Sequence, residues 1–290
     1  MSATAQQGSR APRADLGGLM AKIYLGVVLL FLYVPIFVMA ALAFNRSPLY
    51  ELPFQFDLIW FKTLANNPRL LQAGWNSIYI AILNTVIATA LGTMAALAFA
   101  RYSFRGRGLM QLMLLPPITI PWLVIGTAML VFFFWVFNWG PFAAACGAVF
   151  GAANCGPRSL FTILLGHVAL SLPYVIIVVG ARLADFPKSV EEAAATLGAT
   201  PWQTFWRVSA PIIAPGVVAA ALFAFATSFD QFVISYFLAP PGVTTLPVAI
   251  YTSIRKGFTP EINAISTIII VVSMGIMLIT ARFYKFGGER

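Results

Sequence analysis

The chain contains 290 residues, of which 60% are hydrophobic and 9% are charged, and its mean hydropathy is +0.87. Soluble domains carry about 25% charged residues, so this composition excludes an ordinary soluble fold and predicts an integral membrane protein. In a soluble chain the formal net charge of +9 would favour nucleic-acid binding. In a membrane protein, Lys and Arg first indicate which connections between spans are cytoplasmic, so we expect no nucleic-acid partner.

The N-terminal part is predicted to be a tail followed by one membrane span. Residues Met1–Gly18 are polar and contain Gly, Ala, Ser and Arg, a composition typical of disorder, so we assign 1–21 to a cytoplasmic tail. The run Ile23–Asn45 carries no charge and is longer than the about 7–15 apolar residues of a cleaved signal peptide. We therefore assign 22–74 to a first transmembrane helix and an outer segment.

Five further apolar runs follow. Each is long enough to contain a membrane-spanning helix, which needs about 20 residues to cross the hydrocarbon core. The sequence therefore predicts an all-α integral membrane protein with six transmembrane helices, a main transmembrane domain over 75–284 and a cytoplasmic tail over 285–290. The runs are a second beginning near Ser77 and ending at Arg101, a third within Leu109–Phe137, a fourth at Ser159–Ala181, a fifth beginning near Ile212, and a sixth at Ile262–Ala281.

The distribution of Lys and Arg predicts the orientation of these spans. With the N-terminus inside, twice as many of the 18 basic residues fall in cytoplasmic connections as in outer ones. Because cytoplasmic connections carry the excess of Lys and Arg, both termini and the connection 189–211 are predicted to be cytoplasmic. The third run contains Pro116, Pro117 and Pro121, so we expect that span to be interrupted where it is packed or lines a cavity.

Cys146 and Cys155 fall in the third connection, on the predicted outer face. Two thiols among glycines in an oxidising compartment can form a disulfide, but their spacing does not fix the distance between their Cα atoms. A disulfide and two unpaired cysteines therefore both stay open. A single His in the chain predicts no metal site.

The connection between the fourth and fifth spans begins with a predicted helix. Ser189 and Glu192 fit the two ends of a capping box, which places Glu191 and Glu192 in the first turn, where the helix dipole favours negative charge. Alanines and a leucine continue the helix over 193–197, and Gly198 is placed to end it in a left-handed conformation.

A second predicted helix follows Gly198 in the same connection. Thr200 and Gln203 fit another capping box, with Pro201 at the favoured first helical position, and Pro211 is expected to stop the pattern before the fifth span. One face of this helix is aromatic, formed by Trp202, Phe205 and Trp206. The chemistry alone leaves two roles open, namely a docking element for a partner and an interfacial helix that anchors the bundle.

The spacing in this connection resembles the EAA signature of bacterial type I ABC importer permeases. It reads Glu192-Ala193-Ala194, three residues, Gly198, nine residues, Val208, one residue, then Ala210-Pro211, with Val208 and Ala210 where Ile and Leu are usual. The resemblance implies that this connection forms coupling helices that dock into an ATPase subunit. It assigns ATPase coupling to Glu191, Glu192, Ala193, Ala194, Gly198 and Pro211.

The resemblance extends over most of the chain, to the spermidine/putrescine-type subgroup and its second permease subunit. Trp60–Ser77 resembles the outer segment that leads into the second span of these permeases, and the resemblance to the subgroup is carried by Thr227–Ile250 and Pro260–Thr267. It implies a bacterial inner-membrane importer of a small cationic solute, with a polyamine as the expected substrate. The implied partners are a second permease subunit, two ATP-binding subunits, an extracytoplasmic substrate-binding protein and membrane lipid. Related subgroups that import phosphonates, iron or opine-like compounds share much of the pattern.

The chain lacks the G-x-x-x-x-G-K-[ST] loop that cradles ATP phosphates, and no catalytic constellation is found. We therefore expect a non-catalytic subunit that binds no cofactor, with ATP used by partner subunits. An ion-coupled secondary transporter is the alternative from another class, with Asp230 and His167 as coupling groups, and a scaffold without transport is a third.

Three side chains are candidates for the substrate pathway. A carboxylate inside the membrane costs about 2.5–3.5 kcal/mol, so Asp230 is expected to face a cavity or a partner, either as a cation contact or as a structural group. Trp122 and Trp135 could belong to an aromatic cage for an ammonium group, or they could face lipid or pack. The lone His167 is expected to be a hydrogen-bonded packing residue rather than a proton relay.

Overall fold

The computed structural model describes residues 16–48, 51, 53–151, 155–257 and 260–288. Of the tail that was predicted to be disordered over 1–21, residues 1–15 lie outside the described residues. Residues 16–21 are helical and form the beginning of the first helix, which starts at Leu16. The described part of the chain is helical, with one isolated antiparallel β-bridge between Asn45 and Phe56.

The elements follow one another in chain order with short connections. They are α1 (Leu16–Leu42), α2 (Ile59–Ala65), α3 (Pro68–Arg101), α4 (Arg107–Leu112), α5 (Pro116–Thr119), α6 (Trp122–Asn138), α7 (Gly140–Phe150), α8 (Leu160–Ala184), α9 (Lys188–Thr196), α10 (Pro201–Thr204), a π-helical segment (Phe205–Ser209), α11 (Ala210–Phe229), α12 (Val233–Leu238), α13 (Leu246–Lys256) and α14 (Glu261–Gly288).

The helix termini follow capping signals more closely than the limits of the apolar runs. The second span was expected to begin near Ser77, and this is wrong because α3 begins at Pro68. The Asn67 side chain accepts a hydrogen bond from the Leu70 N–H at 3.3 Å, and Pro68 stands in the first turn, a strong start signal. At α8, Ser159 and Thr162 form a reciprocal capping box.

The described residues confirm only part of the six predicted spans. In the described residues, four helices are long and apolar enough to cross a membrane, which are Met20–Leu42, Pro68–Arg101, Leu160–Ala184 and Pro201–Phe229. A fifth span results if the bent pair Arg107–Thr119 and Trp122–Asn138 counts as one. The sixth predicted span lies within α14, whose apolar part counts as a shorter helix over Glu261–Gly275 in this part of the chain. Six spans therefore stay a prediction.

The third predicted span is broken, as its prolines indicate. The helices on either side of the break meet at an angle of 111°. Ile120 has an extended backbone and Pro121 precedes the first residue of α6. The residue before a proline is pushed out of the helical region by the proline ring, which accounts for the position of the bend.

The central core cluster is formed by α3, α8 and α11, which pack against one another. Ala88, Gly92 and Ala96 recur every four residues along one face of α3, and all three are buried. Small residues at this spacing allow two helix backbones to approach closely in a membrane. A Cβ atom at Gly92 would lie 2.5 Å from Val175 Cγ1 and 2.7 Å from Val175 Cβ, so α8 occupies the space that a side chain would need.

A polar contact ties the same three helices together. Asn84 is fully buried, and its Nδ2 donates to Ser171 Oγ of α8 and to the Ala224 carbonyl of α11, both at 3.0 Å. Interhelical hydrogen bonds of this kind contribute about 0.6 kcal/mol each in membranes. Packing at Gly92 and bonding at Asn84 therefore make one rigid unit from helices that are distant in sequence.

The close approach at Gly92 yields a stability prediction. Gly92→Val forces a side chain into Val175, so we expect the free energy of unfolding to fall by about 1–3 kcal/mol, measured by thermal or denaturant unfolding in detergent. Gly74→Val is the matched control, because a Cβ at Gly74 of the same helix meets nothing within 4 Å. Equal stability of the two variants would contradict the packing account.

Candidate functional site

The candidate site is the connection between α8 and α11, and it begins with α9. The predicted capping box of Ser189 and Glu192 is wrong, because α9 begins at Lys188 after Pro187 and has no side-chain cap. A capping residue must stand outside the helix, whereas Ser189 is already helical. Glu191 does lie in the first turn, as predicted.

Glu191 is held by the end of a core helix. Arg101, the last residue of α3, places its Nε atom 2.8 Å from Glu191 Oε2, and the side chains are only 14% and 21% exposed. The Nε–H bond is not aligned with that oxygen, so the contact is an ion pair rather than a directed hydrogen bond. Arg101 also donates from Nη2 to the Phe186 carbonyl at 3.4 Å and lies 5.0 Å from the centroid of the Phe186 ring.

A second contact fixes the other oxygen of the same carboxylate. Ser209 Oγ of the π-helical segment donates to Glu191 Oε1 at 2.6 Å, and Ser209 is buried. Glu191 therefore joins α9 to α3 on one side and to the beginning of α11 on the other. The sequence analysis missed Arg101 and Ser209, since nothing in a local pattern links residues so far apart. The presence of an unmatched carboxylate in the first turn was the only available signal.

Gly198 ends α9 as predicted, with a backbone φ of +86° in the left-handed region. Its N–H donates to the Ala195 carbonyl at 2.9 Å, and the Ala199 N–H donates to the Ala194 carbonyl at 3.1 Å. This pair of bonds is the Schellman arrangement, in which glycine accepts the positive φ without steric cost. The direction in which the chain leaves α9 therefore depends on this one residue.

The second predicted capping box is confirmed. The Thr200 N–H donates to Gln203 Oε1 at 3.0 Å, and the Gln203 N–H donates to Thr200 Oγ1 at 3.3 Å. The expectation that Pro211 stops this helix is wrong, because the helix runs on without interruption through the π-helical segment into α11. A proline removes one backbone donor and crowds the preceding turn, and the wider π turn directly before Pro211 accommodates both effects.

This connection leaves an apolar and acidic surface without a partner. No residue of α9 is fully buried. Leu197 is 89% exposed and Trp202 is 70% exposed, while Glu192 and Ala193 are exposed and Ala194 is half-buried. We call the surface formed by residues 190–206 the coupling surface. An internally fixed element that exposes large apolar side chains is typical of a protein-docking site.

Asp230 lies at the end of α11, with its side chain exposed. Directly after it in the chain begins an aromatic cluster, in which the ring of Phe232 lies 4.8 Å from that of Tyr251 and 5.4 Å from that of Tyr236. The Arg255 guanidinium carbon lies 5.7 Å from the centroid of the Tyr251 ring. One ring of this cluster therefore already contacts a cationic side chain of the protein itself.

Trp122 and Trp135 do not form the aromatic cage that was considered. Trp122 is the first residue of α6, and Trp135 lies near its other end. Thirteen residues of α-helix separate the two rings along the axis by about 20 Å, which is too far for one ammonium group. Both rings are exposed on the surface.

His167 is a hydrogen-bonded packing residue, as predicted. It is buried, its Nδ1 lies 2.8 Å from Ser228 Oγ, and its Nε2 lies 3.1 Å from Ser235 Oγ. One nitrogen of a neutral imidazole donates and the other accepts, so both hydroxyl partners are satisfied. The side chain thereby fixes α8 to the end of α11 and to α12.

Cys146 and Cys155 are joined in the structure. Their S–S distance is 2.06 Å and their Cα atoms are 5.8 Å apart, which is an ordinary separation for a disulfide. The bond ties α7, which contains Cys146, to Cys155, five residues before the start of α8.

The geometry can be compared with known proteins. The family described as binding-protein-dependent transport system inner membrane component matches residues 88–287. The putrescine transport system permease protein PotI of Escherichia coli (strain K12) is 34% identical over 241 residues, which cover 83% of this chain and 82% of that protein. The spermidine/putrescine transport system permease protein PotC of the same strain is 32% identical over 267 residues, which cover 92% of each chain.

A solved structure has the same fold. It is a bacterial alginate ABC transporter in complex with its alginate pentasaccharide-bound periplasmic protein. The similarity has a TM-score of 0.68 and a sequence identity of 19%, and it covers 90% of this chain and 92% of the matched chain. At that identity the similarity establishes the ABC importer permease fold alone.

Proposed function

The chain belongs to the family of binding-protein-dependent transport system inner membrane components, and from this we propose that it forms half of the translocation pathway of an ATP-driven importer. The observation that carries the proposal is the coupling surface. The connection that forms it resembles the EAA signature, the surface is exposed, and its helix is fixed to the core through Glu191. The chain acts as a non-catalytic subunit, and ATP is hydrolysed by its partners.

The proposed topology has six transmembrane helices with both termini in the cytoplasm. It is supported by the excess of Lys and Arg in the connections on that side. It requires α4 to α6 to act as one broken span and α14 to act as the last span. The coupling surface then faces the cytoplasm, and the disulfide between Cys146 and Cys155 lies on the oxidising side.

The proposed substrate is a polyamine such as putrescine or spermidine. The relatives PotI and PotC are named for these substrates, which supports the assignment. Asp230 offers such a cation a carboxylate in place of its water, and Phe232, two residues further along the chain, offers an aromatic face. We place both on the substrate pathway, and we keep Trp122 and Trp135 as weaker candidates because they lie far apart.

The proposed complex contains a second permease subunit, two ATP-binding subunits inside and a substrate-binding protein outside. The structural relative was solved with a bound periplasmic protein, which supports the outer substrate-binding protein. Closure of the ATP-binding subunits would move the coupling surface. Because Glu191 contacts both Arg101 and Ser209, the same displacement would reach α3 and α11 together and tilt them as one unit. We expect this tilt to open the pathway alternately to each side.

Reconstitution tests the function directly. The chain with its second permease and ATP-binding subunits in liposomes should hydrolyse ATP at a rate that rises only when putrescine and the binding protein are both present. Stimulation by a phosphonate or by iron, with none by putrescine or spermidine, would contradict the polyamine proposal. ATP-independent uptake by the chain alone would contradict an importer subunit altogether.

Gly198 tests the coupling role. Gly198→Val places a β-branched residue at a φ of +86°, which such residues avoid, so we predict an assembled complex without stimulated ATPase activity. Gly198→Asn is the matched control, since asparagine tolerates the left-handed region and a Cβ here meets nothing within 4 Å. Full activity of the valine variant at normal abundance would be incompatible with this role.

Asp230→Asn tests the substrate pathway, because it keeps the shape of the side chain and removes its charge. We predict that putrescine uptake falls by about tenfold or more, equivalent to about 1.4 kcal/mol, at unchanged protein abundance. Asp57→Asn is the control, since Asp57 is also acidic but belongs to the segment assigned to the outer side. Its Oδ2 atom lies 3.9 Å from Arg46 Nε. A fall in abundance together with uptake would indicate a structural role for Asp230 instead.

A further inference from the structure

A cleft separate from the coupling surface lies where α3, α4 and α8 meet the start of α9. Its volume is about 690 Å³, and none of the acidic residues that the structure describes lines it. Its inner wall is apolar and includes Phe99, Leu115 and Ile176. Phe99 belongs to α3 and Ile176 to α8, while Leu115 directly precedes α5, so the wall offers a path for a hydrocarbon chain along the bundle.

The mouth of the cleft is cationic. Arg101, Arg107 and Lys188 line it together with the amide of Gln111. Arg101 is occupied by Glu191, whereas neither Arg107 nor Lys188 forms an ion pair within the part of the chain that the structure describes. The cleft therefore holds two uncompensated positive charges at one end and apolar side chains at the other.

The position of these charges matches the depth of a lipid headgroup. Arg101 is the last residue of α3, Arg107 is the first of α4 and Lys188 is the first of α9, so all three stand where the bundle meets water. Basic pockets between transmembrane helices at this depth bind anionic headgroups, and neighbouring apolar surface holds the acyl chains. A soluble phosphate compound would use the charges but would leave the apolar wall in contact with water.

We propose that this cleft binds one anionic phospholipid, with its phosphate between Arg107 and Lys188 and an acyl chain along α3 and α8. The leaflet concerned is the cytoplasmic one if the proposed topology holds, but the binding itself does not depend on the transport function. The lipid would contact Phe186 and Lys188 beside the attachment of α9. It would thereby stabilise the position from which the coupling surface is presented.

The test is native mass spectrometry of the assembled transporter, equilibrated with phosphatidylglycerol or with phosphatidylethanolamine. We expect one tightly retained phosphatidylglycerol in the wild type. In Arg107→Gln/Lys188→Gln its affinity should be about thirtyfold weaker, as two lost charges imply. The control Lys22→Gln/Arg105→Gln removes the same charge from two exposed residues outside the cleft and should bind lipid like the wild type.

Three results would overturn the proposal. Equal retention of phosphatidylethanolamine would show that charge does not select the lipid. Equal loss of lipid in the control would show only a general attraction between a basic protein and anionic lipid. Failure of a photoreactive phosphatidylglycerol to label residues 107–115 or 176–188 would show that a neighbouring protein covers the cleft. None of these outcomes depends on uptake, so a failed transport assay would leave the lipid site to be judged separately.

Discussion

The ion pair between Arg101 and Glu191 joins the end of a core helix to a surface helix that has no fully buried residue of its own. Helix α9 has nine residues, and so short a helix is marginal in water without outside contacts. Its position therefore depends on Glu191, which uses one oxygen for Arg101 and the other for Ser209. Breaking a fully buried ion pair costs about 3–5 kcal/mol, and the partial exposure of this pair places it toward the lower end of that range.

The helix bundle to which Glu191 attaches α9 must itself be rigid if the ion pair is to transmit force. The interior of the bundle provides this rigidity, because Gly92 lets α3 and α8 touch and Asn84 bonds to both α8 and α11. The hydrophobic effect does not draw helices together inside a membrane, so close packing and buried polar contacts carry that role. The chain thus combines a fixed core, one polar attachment and an exposed coupling surface.

Local signals predicted much of this arrangement. Gly198 and the pair Thr200 and Gln203 were found because caps and left-handed turns depend on residues a few positions apart. The predicted cap at Ser189 failed because Pro187 starts the helix earlier, and the predicted stop at Pro211 failed because a π turn accommodates the proline. Whether Cys146 and Cys155 are bonded could not be predicted, since the spacing in sequence does not determine the distance between their Cα atoms. The carboxylate in the first turn of α9 was a signal for a contact at Glu191, but its partners Arg101 and Ser209 could not be predicted, because tertiary packing alone brings them to it.

The central claim is that Glu191 holds α9 as a fixed part of the core while the complex works. The most direct measurement is the distance between spin labels at Met94 of α3 and Thr196 of α9, both exposed, by pulsed electron paramagnetic resonance in the assembled transporter. The two native cysteines are bonded, so only introduced cysteines take the label. The account predicts one narrow distance that is the same without nucleotide and with trapped ATP, and a broad distribution in Glu191→Gln. A distance that changes with ATP in the wild type, or that stays narrow in the variant, would contradict it.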